Sequence, residues 1–66
     1  MNWVDWDELS PTDYTRVLVH YRRCNEIRWH YELAMYLDRS QWAILNVAYM
    51  SDIAELYWTY VQREQL

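Results

Sequence analysis

His20 and Cys24 lie four residues apart, the spacing that sets two soft metal ligands on one face of a helix. A structural zinc wants four ligands. Only His30 remains to join them, there is no second cysteine, and Arg16 and Arg23 flank His20 where they would oppose a dication. The same pair is the one arrangement suited to nucleophilic catalysis, because nearby arginines can lower a thiol pKa. A helix interior supplies no oxyanion hole, cleft or third orienting group, so the pair reads as a buried thiol beside a half-exposed imidazole. Asp52 and Glu55, at i and i+3, have the spacing for general acid and base work, but a solvated helix face is the better explanation of them. The expectation is no enzyme, no metal and no cofactor.

The charges are unevenly placed. The first fifteen residues carry Asp5, Asp7, Glu8 and Asp13 without a base, a net −4; residues 16–31 set four arginines against Glu26, a net +3; the remainder is −3, and the whole chain −4. All six bases are arginine, the planar cation suited to carboxylate pairing. Arg16, Arg22, Arg23 and Arg28 interleave with Tyr21, Trp29 and Tyr31 in a way that can meet phosphate. The acidic balance of the chain, with pI near 4.9, argues against direct nucleic-acid binding. The N-terminus is the more distinctive segment. Trp3, Asp5, Trp6, Asp7, Glu8 and Asp13 combine two large anchors with four carboxylates, a set that either plugs a core and decorates helix starts or addresses basic side chains of a partner. With Asp52 and Glu55 they form the candidate partner-binding set. Five Trp and seven Tyr add polar tips that a small core cannot all satisfy, so several aromatics should reach the surface.

Positioning these residues falls to a chain of 66 residues with no glycine. Walker loops, dinucleotide-binding turns, nucleophile elbows and EF-hand loops all need a backbone position that a Cβ blocks, and are excluded. The length gives one domain, residues 1–66, with stability concentrated in its aromatics. A lone cysteine favours a reducing compartment, and no basic n-region or long apolar run is present, so the cytoplasm is the expected location.

The periodicity reads as helical. Ser10-Pro11-Thr12-Asp13 resembles a capped helix start, and Tyr14, Val17, Leu18, Tyr21 and Cys24 follow at spacings of three and four, continuing through Ile27, Tyr31 and Ala34. Arg22, Arg23 and Asn25 mark a possible break. Asp38 and Gln41 match a capping box, and Trp42, Leu45, Tyr49, Ile53, Leu56 and Tyr60 form the face of a last helix. Trp3, Trp6 and Leu9 make a short N-terminal turn. The expected fold is all-α: a small antiparallel bundle of three to four helices with a short N-terminal helical turn.

Two resemblances follow. Leu37, Ala43, Ala48, Ala54, Glu55 and Leu56, with Thr12-Asp13-Tyr14 and Arg22-Arg23-Cys24, resemble the spacing of the Hha/YmoA family of small helical nucleoid modulators, which implies binding to an H-NS-type protein. In type, though not in motif, a short acidic domain without a catalytic set is similar to phage-encoded anti-CRISPR inhibitors acting in the host cytoplasm. That resemblance implies a stoichiometric inhibitor, monomeric or a weak homodimer. It would bind a CRISPR effector of the Cascade type, or another host protein with a basic nucleic-acid-binding surface, and block target DNA, with no direct nucleic-acid or membrane binding of its own.

Overall fold

Between Thr15 and Arg23 the side chains alternate: Val17, Val19 and Tyr21 are fully buried, while Arg16, Leu18, His20 and Arg22 face the other way. β-branched Thr15, Val17 and Val19 are stiff at χ1 and fit a pleated surface better than a helix. The computed structural model, which describes residues 2–38 and 41–61, makes this segment the central strand of a five-stranded antiparallel sheet. The expected all-α bundle is therefore overturned. The one helical element among the described residues is the 3-10 turn Met50–Asp52, and no helix is long and apolar enough to cross a membrane.

The strands are β1 (Val4–Asp5), β2 (Thr15–Arg23), β3 (Trp29–Tyr36), β4 (Trp42–Ala43) and β5 (Ile53–Tyr60), in the spatial order β1-β5-β2-β3-β4. β2 and β3 form a hairpin from Thr15↔Tyr36 to Arg22↔Trp29. Its turn falls just after Arg22 and Arg23, where the sequence suggested a helix break. Glu26 holds that turn: its carboxylate takes bonds from Arg23 and His30, and its carbonyl accepts from Arg22 Nη1 at 2.9 Å. The His30 bond, helped by Arg23, keeps the Glu26 carboxyl below its ordinary range. On the other flank of β2, the register with β5 shifts between Arg22↔Glu55 and Arg23↔Ile53, leaving Ala54 as the extra residue of a bulge. The bulge turns Ile53 toward the core, where it packs beside the buried Leu56 and Trp58.

Among the described residues only one sheet face is covered. Residues 6–14 and 44–52 cross it, bringing Trp6, Ile44, Val47 and Met50 onto Val17, Val19, Tyr21, Leu56 and Trp58. The first crossing meets β4 through Trp6 and Trp42, edge to face at 5.6 Å. Long-range hydrogen bonds tie the first crossing down: Trp6 N to Leu56 O at 3.1 Å, Trp58 Nε1 to Leu9 O at 2.9 Å, and Thr12 N to the Tyr60 hydroxyl at 3.0 Å. Ser10-Pro11 thus begins no helix. Pro11 is buried in an extended crossing, and its fixed φ serves a loop equally well. Asp38 and Gln41 cap no helix either. They close the β3–β4 turn through Gln41 N to Asp38 O at 2.9 Å; Arg39 and Ser40 lie outside the described residues. The spacing that resembles the Hha/YmoA family is a helical one, and here the same stretch holds β4, the 3-10 turn and β5. With no glycine available, the one described residue in the left-handed region is Tyr14, at φ 57°, held by its N–H to Leu37 O and its hydroxyl to Asp38.

The Tyr21 hydroxyl is a polar group inside the core. Tyr21 is fully buried and its hydroxyl donates to the Glu32 carboxylate on β3. Burial first, and the Glu32 bond second, push the Tyr21 pKa up to about 12 from 10.0. Between these values the folded chain keeps a proton that the unfolded chain releases, so stability is complete below pH 10 and falls as pH rises toward 12, by roughly 2–3 kcal/mol. Urea midpoints measured across that alkaline range should fall steeply for the native chain. The decline should be shallower for Tyr21→Phe, and equal slopes would refute Tyr21 as the responsible group.

Candidate functional site

The second sheet face carries Trp3, Trp29, Tyr31 and Tyr57 around His20. Register alone builds a row across four strands: Asp5 opposite Tyr57, Tyr57 opposite His20, and His20 opposite Tyr31. A parallel row runs Glu55, Arg22, Trp29. His20 is the centre of the cluster. Tyr31 stacks on it at 4.3 Å and 11°, Trp29 tilts against it at 4.5 Å, Trp3 meets it edge-on at 5.5 Å, and Tyr57 lies at 6.2 Å. Tyr31 remains 67% exposed and Leu33, beside it along β3, 50%. The result is a broad ring-lined surface open to a partner.

The face is acidic toward β1, and toward the hairpin it carries the Arg22–Glu55 ion pair. Arg22 Nε and Nη2 donate to Glu55 Oε2 at 3.2 and 3.0 Å, with the guanidinium 5.9 Å above the Trp29 ring. The Tyr57 hydroxyl donates to Glu55 Oε1 at 3.2 Å. That bond, then the charges of Glu55, Asp5 and Asp7, raises the Tyr57 pKa above its ordinary value. Asp5 also accepts the Asp7 N–H at 3.0 Å, which fixes the turn after β1 and leaves Asp7 and Glu8 exposed. π faces bordered by carboxylates are suited to a planar cation, the arginine guanidinium above all.

The candidate residues are thereby sorted. Trp3, Asp5 and Glu55 come together on the open face, and exposed Asp7 and Glu8 lie in the turn after the edge strand β1, with the Asp7 charge reaching Tyr57. Trp6 belongs to the other face, against the core and Trp42. Asp13 lies in the turn ahead of β2, while Asp52 lies beyond its far end, its carbonyl accepting the Cys24 N–H at 2.8 Å. These two stand at opposite ends of the sheet. Asp52 and Glu55 share no helix face, and Glu55 pairs with Arg22. His20 and Cys24 also part: His20 is within the ring cluster, and exposed Cys24 contacts the Ser51 carbonyl at 3.7 Å. Among the described residues no group of three His, Cys, Asp or Glu side chains could hold a metal ion.

His20, Trp29, Tyr31 and Tyr57 were absent from the expected partner-binding set. A signal for two of them existed: Trp29, Tyr31 and Leu33 alternate with His30 and Glu32, an apolar row at period two. In comparisons with known protein families, curated proteins and solved structures, nothing matches this chain.

Proposed function

We propose that this domain is a stoichiometric protein inhibitor of the anti-CRISPR type, whose open sheet face docks on an arginine-rich surface that otherwise holds nucleic acid. The observation that carries the reading is the row Asp5, Tyr57, His20, Tyr31, with Trp3 packed on two of its rings and Glu55 beside it. Rings supply contact area at low conformational cost, and the bordering acids select cations. The same rings could stack on nucleobases. Asp5, Asp7 and Glu8 at the border would repel phosphates, which favours a basic protein over a nucleic acid.

The test is titration of the purified chain into a purified Cascade-type effector, with target-DNA binding as the readout. DNA binding should be lost near one molar equivalent of inhibitor per effector site. Unimpaired DNA binding across effectors of several types, together with no complex at low salt, would overturn the proposal.

A further inference from the structure

The outer edge of β3 lacks a partner strand over most of its length. β4 pairs only with Met35 and Tyr36, so among the described residues Trp29 to Ala34 present an unpaired backbone edge. Natural sheets usually blunt such an edge with charge, proline or a covering loop. Here the edge carries Trp29, Tyr31 and Leu33 on one face and His30 and Glu32 on the other.

We propose that a second copy of this chain occupies this edge, through antiparallel β3–β3 pairing about a two-fold axis at Tyr31. This edge shares Tyr31 with the ring row proposed for partner binding and is separate from the acidic residues at its β1 end. Self-complementarity fixes the register. Centring on Tyr31 sets His30 opposite the partner's Glu32 and Trp29 opposite the partner's Leu33, each pair made twice, as an isologous interface requires. Moving the centre to Glu32 would face two carboxylates across the axis. Moving it to His30 would push the pairing out of the strand and into the hairpin turn. Glu32 uses Oε2 for Tyr21 and His30 uses Nε2 for Glu26, so the remaining Oε1 and Nδ1 form an intermolecular hydrogen bond when the imidazole carries both ring protons.

Beyond the paired residues, the register carries Ile27 toward the partner's Met35. Ile27 is 94% exposed. A shallow apolar groove of about 560 Å³ waits where the free edge meets β4, lined by Leu33, Met35, Trp42, Ala43 and Leu45 among others. An exposed isoleucine and an apolar groove at matching offsets make the face complementary to itself. Closure of the pair would join two sheets and make their ring-lined faces continuous.

Sedimentation of the full chain over a concentration series should show a reversible dimer, twice the 8.3 kDa monomer. Ile27→Asp, at a position too exposed to affect the monomer fold, should weaken the dimer about tenfold or more. Tyr31→Lys and Tyr31→Glu should each be monomeric, and mixing them should restore a heterodimer, because position 31 faces itself. A native chain that stays monomeric overturns the proposal, and so does a dimer indifferent to Ile27→Asp. A mixture that fails to reassociate overturns the register. None of these results bears on effector binding by the monomer, which the DNA-binding titration reads separately.

Discussion

Replacing Trp58 with alanine should leave the chain unfolded at room temperature. Trp58 is 2% exposed at the middle of β5, opposite Val19 on one side and Val4 on the other. Its ring meets Tyr60 edge to face at 5.0 Å, and its Nε1 holds the Leu9 carbonyl of the covering segment. Truncation removes all of these together, a loss of about 3–5 kcal/mol for a buried aromatic. A single core of this size rarely supplies more than about 3–5 kcal/mol in total. Trp58→Phe separates packing from the hydrogen bond: it keeps most of the apolar bulk and abandons the Leu9 carbonyl, and should cost about 1–2 kcal/mol. Near-ultraviolet circular dichroism and urea denaturation of the two variants provide the measurement. Cooperative unfolding of Trp58→Ala with a loss below about 1 kcal/mol would show that the crossing over residues 6–14 is not anchored as described.

The difficulty of reading this fold from its sequence has the same origin as its candidate site. A helix stripe through Tyr14, Val17, Leu18 and Tyr21 looks apolar only because Leu18, on the open face, is as apolar as the core residues Val17 and Tyr21. Where both faces of a strand carry apolar or aromatic side chains, spacings of three and four occur alongside the period of two, and hydropathy cannot choose between them. In β3 the pattern is inverted. His30, Glu32 and Ala34 point to the covered face, and Trp29, Tyr31 and Leu33 to the open one. The discriminating signal was residue type: Thr15, Val17 and Val19, then Trp29 and Tyr31, are strand formers. Trp3, Asp5 and Glu55 were legible as candidates because their chemistry does not depend on fold. Their neighbours Tyr57 and His20 were not, because only the register of β5 on β2 makes them adjacent.

Partner binding should respond to two substitutions on the β1 side of the open face, each through a different rate constant. Trp3→Ala removes a ring that packs on both His20 and Tyr31, and should raise the dissociation constant about 30-fold, near 2 kcal/mol, mostly through faster dissociation. Asp7→Lys with Glu8→Lys reverses two exposed charges at the border and leaves the ring cluster intact. The double variant should associate about tenfold more slowly at low salt, with the difference shrinking as salt screens the approach. Surface plasmon resonance against an immobilised effector, at two ionic strengths, measures both. Asp7 and Glu8 lie away from the β3 edge, whereas Trp3 packs on Tyr31 of that edge, so Trp3→Ala is compared with the native chain at concentrations where both are monomeric. The sign of the charge effect also identifies the ligand class. Against a basic protein, acid-to-lysine reversal weakens binding; against single-stranded DNA stacked on the same rings, it would strengthen binding by attracting phosphates. Tighter association of the double variant with single-stranded DNA than with the effector would therefore transfer the open face from protein recognition to base stacking.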